Sequence, residues 1–294
     1  MTVLDAVGRT PLFPIFENVK GARIFAKAEF LNPSGSVKDR AVKGMLADAI
    51  KSGKLTKDKI ILDATSGNSG IAYAMFGAAL GYKVLLCLPA NANNERKRLL
   101  KIYRAEIITT NPLESSDGAL LKARQIYKEN PNKYYYPDQY NNNENWKAHY
   151  NNTAAEIWEQ TNQKITHFVA GMGTSGTFTG TARRLKEFNP TIKTIPMQPE
   201  SPLHGLEGMK HMATTILPGF YDPALFDGEI NVSTEEAKKM TKRLAEELGL
   251  FVGISSGANV LAAVKLAEKL TQNETIVTIL CDNGNRYISD ELWD

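Results

Sequence analysis

The sequence predicts an α/β fold of two lobes, each a largely parallel sheet flanked by helices. Three observations predict it. Apolar runs of strand length alternate with segments of helical period, the alternation breaks once and restarts, and loops of Gly, Ser, Thr and Asn follow several of the strands. Strands that read as continuous apolar runs are covered on both faces, which is the signature of parallel sheets between helices.

In chain order, 22–30 (ARIFAKAEF) reads as an early strand of either lobe. The run 59–64 (KIILDA) precedes a helix from about Ser69, 83–89 (KVLLCLP) precedes a helical pattern over 94–104, and 105–110 (AEIITT) precedes one over 118–130. A polar and aromatic stretch, PNKYYYPDQYNNNENW at 131–146, then separates the two series. The second series runs from 165–171 (ITHFVAG) into a helix over 175–188, then 191–198 (TIKTIPMQ), 250–255 (LFVGIS) before a helix over 258–270, and 275–281 (TIVTILC). Ser233 and Glu236 stand at capping-box spacing before another helix that Gly249 ends. The resulting division is a smaller lobe of 40–143 and a larger one of 1–39 with 144–294.

The chain has 294 residues, 43% hydrophobic and 23% charged, the balance of a globular protein. Its net charge of +3 comes from 35 basic and 32 acidic residues spread along the sequence, so nucleic acid is not the indicated partner and small molecules are. The longest apolar stretch, 71–90, is divided by Gly81-Tyr82-Lys83 and ended by Pro89, which argues for helix, turn and buried strand rather than a membrane span. No basic segment followed by an apolar core opens the sequence, so the cytoplasm is expected. Cys87 and Cys281 lack CxxC or histidine neighbours at ligand spacing; buried free thiols and no metal site are the expectation. His149, His167, His204 and His211 read as surface or packing residues.

Ligands of open α/β sheets sit beyond the carboxyl ends of strands. Three loops stand there: TSGNSG (65–70), GMGTSGT (171–177) and SSGAN (255–259). All supply backbone N–H and hydroxyl donors without fixed charge, which suits phosphate and carboxylate groups. GMGTSG also matches the dinucleotide pattern through Gly171, Gly173 and Gly176, with Glu200 as its acidic partner, so a nicotinamide-dependent oxidoreductase is the alternative class. That reading gives no role to TSGNSG or to Lys38. In LNPSGSVKDRAVKG (31–44) this lysine stands at a predicted helix start, where a cation is disfavoured and Asp39 is the expected charge. Pyridoxal phosphate needs both features: an uncharged donor loop for its phosphate and one lysine amine for its aldehyde.

Together these motifs resemble the fold-type II pyridoxal-phosphate enzymes of the cysteine synthase and cystathionine β-synthase group. The resemblance runs in order through VGRTPLFP (7–14), NPSGSVKDR (32–40), TSGNSG (65–70), DQYNNNEN (138–145), GMGTSGTFTG (171–180), GISSGAN (253–259) and CDNGNRYIS (281–289). It implies Lys38 as the Schiff-base lysine and catalytic base, and Asn68 at the ring hydroxyl. It implies Thr65, Ser66, Gly67, Ser69 and Gln139 around the substrate α-carboxylate. Gly173, Thr174, Ser175, Gly176 and Thr177 become the phosphate cradle, and Ser255 the hydroxyl at the pyridine nitrogen. Ser175 departs from the glycine usual there.

Segments 198–212 and 217–223 are closer to the B-type cysteine synthases, which implies Lys210 as a basic residue facing the leaving group or second substrate. The implied reaction is β-replacement on a β-substituted L-amino acid, O-acetylserine or O-phosphoserine with sulfide. The alternative within the family is release of hydrogen sulfide from cysteine or use of a thiol nucleophile, with Asp222 or Asp227 activating water. The smaller lobe is expected to close when the carboxylate binds, and the family is commonly homodimeric.

Overall fold

The computed structural model describes residues 2–65, 67–270 and 273–293. Among these residues the strands are β1 (Leu12–Val19), β2 (Ala22–Ala28), β3 (Ile60–Ala64), β4 (Val84–Pro89), β5 (Glu106–Thr110), β6 (Tyr134–Tyr135), β7 (His167–Gly171), β8 (Lys193–Pro199), β9 (Ile230–Val232) and β10 (Thr275–Leu280). They form two sheets, a six-stranded one of order β1-β2-β10-β7-β8-β9 and a four-stranded one of order β5-β4-β3-β6. Every pairing is parallel except β1 with β2. The α-helices are α1 (Lys38–Lys51), α2 (Asn68–Leu80), α3 (Asn94–Ile102), α4 (Ser115–Glu129), α5 (Asn143–Ala148), α6 (Ala154–Gln160), α7 (Gly176–Phe188), α8 (Thr234–Leu248) and α9 (Ile254–Ala267).

Alternation along the strands explains why both faces are apolar. In β10, Ile276 and Leu280 enter the core beneath α8 and α9, while Val277 and Ile279 enter the core shared with α6 and α7. Successive side chains of a strand point to opposite faces, so a strand between two helical layers needs apolar residues at both parities. The small sheet is built alike, with Ile61 and Leu86 on the side of α1 and α2, and Leu62 and Cys87 on the side of α4. Among the described residues no helix is long and apolar enough to cross a membrane.

Two sequence expectations fail. The run 250–255 forms no strand: Val252 makes an isolated bridge with Asn283, and α9 already begins at Ile254. Ser255 to Asn259 are therefore the first turns of a helix, not a donor loop. Only residues 250–253 lie between Gly249 and α9, and the bridge at Val252 is their one strand-like pairing among the described residues. The antiparallel β1, with Pro14 inside it, is absent from the strands read off the sequence. As the sheet's edge strand it tolerates a proline, and Lys20-Gly21, with φ of 49° and 89°, close a two-residue hairpin turn onto β2.

The predicted capping box is present: Glu236 N–H donates to Ser233 Oγ at 3.3 Å, Ser233 N–H donates to Glu236 Oε2 at 3.4 Å, and Gly249 ends α8 with φ 64°. Helices α8 and α9 approach closely at Gly257, where an added Cβ would collide with Thr241 Oγ1 and lie 2.6 Å from the Ala237 carbonyl. Gly257→Ala is accordingly expected to lower stability by about 1–3 kcal/mol, the usual cost of overpacking, read from chemical denaturation at unchanged m-value.

Candidate active site

Lys38 is delivered by the turn before it. Gly35 takes φ 83°, Val37 N–H donates to the Cys281 carbonyl at 2.8 Å, and Asn283 N–H donates to the Gly35 carbonyl at 3.2 Å, so the turn is stitched to the end of β10. Asp39 folds back to accept from Ser34 N–H at 2.6 Å and from the Ser34 hydroxyl, and burial pushes its carboxyl up to about 6. Lys38 opens α1 and is only partly buried, facing a cavity. Its amine makes no ion pair among the described residues. Loss of solvation, with the Arg286 charge acting in the same direction against Cys281 and Asp282, holds its pKa below the ordinary lysine value.

The loop after β3 is shaped by its own threonine, because Thr65 Oγ1 accepts from Gly67 N–H at 2.9 Å and Gly70 N–H at 3.0 Å. Gly67 has φ 148° and lies against Arg96, whose Cδ would be 2.5 Å from an added Cβ. Asn68 donates to Asp282 Oδ2 at 2.6 Å and accepts from Arg286, while Asp282 also accepts from the Tyr287 hydroxyl at 2.6 Å. Ser69 donates to Gln139 Oε1 at 2.7 Å, and Gln139 donates to the Ala64 carbonyl. Ser66 lies outside the described residues.

The loop after β7 is a tight cradle. Ser175 adopts φ 62° immediately before α7, and its hydroxyl is buried with no hydrogen-bond partner among the described residues. An added Cβ at Gly173 would collide with the Gly208 carbonyl, and one at Gly176 with Asn145 Oδ1. Thr174 Oγ1 accepts from Asn145 Nδ2 at 3.1 Å, and Thr177 Oγ1 stands 3.3 Å from His149 Nε2. His149 is buried and held down to about 3, so it contributes no cation near neutral pH. Ser255 is buried in the first turn of α9 beside the Cys281 thiol, which burial pushes up to about 12.

These residues fit pyridoxal phosphate. An orphaned hydroxyl and the N-terminus of a 13-residue helix offer donors to a phosphate, and an amine without an ion pair stands in the adjoining cavity.

One cavity of about 370 Å³ brings together Lys38, Asn68, Ser69, Gln139, Gly173 and Lys210. Lys210 is buried at its rim, donating to Asp117 Oδ1 and Thr215 Oγ1 at 2.7 Å each. Asp222 and Asp227 are not brought to the cavity: Asp222 pairs with Arg183 at 3.1 Å, and Asp227 with Lys186 at 2.5 Å and Lys193 at 3.5 Å. Those ion pairs place both carboxylates elsewhere, which corrects the expectation that either activates water. Glu200 is exposed and also outside the cavity, so GMGTSG lacks the partner a dinucleotide would need there.

Sequence reasoning missed Arg96, Glu207 and Arg286. The first stands in a charged helix pattern that reads as a solvated face, yet its side chain is 4% exposed and pairs with Glu207. Arg286 lies in the quoted CDNGNRYIS segment, and only its contact with Asn68 gives it a place in the site.

A family model described as "Pyridoxal-phosphate dependent enzyme" matches residues 3–282. The chain is 47% identical to a cysteine synthase of Aquifex aeolicus (strain VF5), covering 99% of this chain and 92% of that protein. It is 39% identical to cysteine synthase B of Pseudomonas aeruginosa, covering 100% and 97%. Its fold matches the crystal structure of an O-acetylserine dependent cystathionine beta-synthase from Helicobacter pylori with a TM-score of 0.94 at 36% identity, covering 100% of this chain and 99% of that one. Whole-length identity at this level, on a site whose parts fit the cofactor, makes the chain a pyridoxal-phosphate-dependent enzyme of the cysteine synthase and cystathionine β-synthase family.

Proposed function

We propose that the protein makes L-cysteine by β-replacement, using O-acetylserine or O-phosphoserine and sulfide. The observation that carries the reading is that Lys38 lines both the cavity bordered by Asn68 and Ser69 of the donor loop after β3 and the adjoining one formed by the cradle after β7. When bound, pyridoxal phosphate supplies an electron sink for a carbanion at the substrate Cα. Gly173 to Thr177 would hold its phosphate, Asn68 its ring hydroxyl and Ser255 its ring nitrogen. A neutral serine at that nitrogen does not enforce its protonation, which favours loss of a β-substituent over transamination.

Lys38 would hold the cofactor through its amine and, once released, would take the Cα proton. Its lowered pKa makes the neutral amine available at a smaller pH cost. Thr65, Ser66, Gly67, Ser69 and Gln139 bind the α-carboxylate through hydroxyl, amide and side-chain donors. Because their loop belongs to the smaller lobe of 40–143, carboxylate binding draws that lobe over the cavity and excludes water. Lys38 returns the proton once sulfide has added at Cβ. Lys210, at the rim, faces the departing group. We place the enzyme in the cytoplasm as a homodimer, an assembly that light scattering on the purified protein tests.

The cofactor-loaded enzyme should form cysteine from sulfide and at least one of the two O-substituted serines, each supplied alone and the product quantified. Release of sulfide from cysteine, with no cysteine formed from either serine ester, overturns the synthase reading in favour of the lyase. The likeness to the Helicobacter pylori enzyme supports a second reading, a larger thiol as nucleophile, and the same assay with homocysteine reads it.

A further inference from the structure

Two ion pairs cross the mouth of the cavity, each joining the segment that follows β8 to a helix of the other sheet. Arg96 of α3 pairs with Glu207, and Asp117 of α4 pairs with Lys210 at 2.7 Å. The second is reinforced by Thr215 Oγ1 and Ile216 N–H, which both reach Asp117 Oδ2 at 3.4 Å. The segment between these charges is pressed onto the cradle. Lys210 N–H donates to the Met172 carbonyl at 2.8 Å, the Gly208 carbonyl abuts Gly173, and Met209 Sδ abuts Gly171. Residues 205–216 are thus a strap fixed below to one lobe and pinned above to the other.

The four charges differ in how freely they can move. Arg96 and Lys210 are 4% and 8% exposed at their side chains, whereas Glu207 and Asp117 are 41% and 32% exposed. Both cations are buried, Arg96 on α3 and Lys210 on the strap itself, and both carboxylates are partly exposed to solvent. Gly208, at φ 79° with nothing within 4 Å of an added Cβ, gives the strap a point of rotation between its two pins. Arg96 also rests on Gly67, so the pinned strap and the carboxylate loop share one side chain as support.

We infer that Glu207 and Asp117 are specificity-determining residues: their ion pairs hold the strap of 205–216 across the mouth and limit the second substrate to a nucleophile as small as sulfide. This rests on the β-replacement reading. A small nucleophile passes while both pins are closed, and a bulky thiol needs at least one of them open. Neither carboxylate is itself assigned to binding the amino acid or the cofactor; because their partners Lys210 and Arg96 border the site, turnover of the same ester with sulfide is the control that reads any change in the chemistry.

The test compares Glu207→Gln, Asp117→Asn and the double variant with the parent, all cofactor-loaded, using whichever serine ester the parent accepts and either sulfide or thiophenol. The double variant is expected to gain tenfold or more in kcat/KM for thiophenol while its kcat/KM for sulfide stays within about twofold. Amide hydrogen exchange should quicken across 205–216 and nowhere else. An unchanged preference between the two nucleophiles, a parallel loss of both activities, or unaltered exchange in the strap overturns the inference. A parent that makes no product with either nucleophile overturns the β-replacement reading itself, whereas sulfide turnover with unaltered selectivity overturns only the strap.

Discussion

Lys38→Ala is expected to cut turnover by at least about 10³-fold and to leave the cofactor without a covalent hold. Positioned proton transfer alone is worth roughly 10²–10⁴ in rate, and this residue is assigned both the transfer and the covalent attachment of the cofactor. The variant should still fold, since the lysine amine makes no ion pair among the described residues and the turn that carries it is held by backbone bonds to the end of β10. Borohydride reduction followed by denaturation separates the roles: the parent should retain the chromophore on a peptide containing residue 38, and the variant should release it. Retention by the variant would move the attachment to another lysine and remove the basis of the proposed chemistry.

The largest expected effect on stability lies in a cluster away from the cavity and buried apart from the partly exposed Glu156. Arg40, 3% exposed, pairs with fully buried Glu29 and with Glu156 at 2.7 Å, and Lys27, fully buried, pairs with Glu156 at 2.7 Å. Thr10 and Asn32 complete the hydrogen bonds of Glu29 at 2.7 and 2.8 Å. Two cations and two carboxylates balance there, two residues beyond Lys38. Removing one partner strands a buried charge, a loss of about 3–5 kcal/mol. Arg40→Met should therefore lower the melting temperature by roughly 5–8 degrees in a chain of this size, and Glu29→Gln added to it should recover part of the loss. A change of only a degree or two would show that the cluster carries no such weight.

The same cluster predicts a pH response. Burial raises the Glu156 carboxyl, but the hydrogen bonds and charges of Arg40 and Lys27 outweigh it and hold it at about 2, against an ordinary value of 4.5. A carboxyl depressed on folding contributes stability that is fully present above its unfolded pKa and is lost as pH falls through the folded one. Stability of the parent should thus decline between about pH 5 and pH 2, and Arg40→Met should flatten that decline.

Much of this was readable from residues in order. The runs at 59–64, 83–89, 165–171 and 275–281 fall on strands β3, β4, β7 and β10 within one or two residues, because strands covered on both faces must be apolar throughout. The parts that failed are those with weak local signals. A three-residue β9, a two-residue β6 and an edge strand containing Pro14 take their pairing from neighbours, and 250–255 reads as a strand only while the helix beginning at Ile254 is unknown.

The sequence by itself determined the two-lobed α/β class, the lysine and the uncharged donor loops, since a phosphate, a carboxylate and an aldehyde each require a recognisable residue type at a strand's end. Only the tertiary structure decided which charges matter. Arg96, Asp117, Glu207 and Arg40 look like solvated side chains in their own segments, and Asp222 and Asp227 looked available. A charge's worth depends on what lies across from it and how much water is excluded there, and both are fixed by residues distant in the chain rather than by neighbours in it.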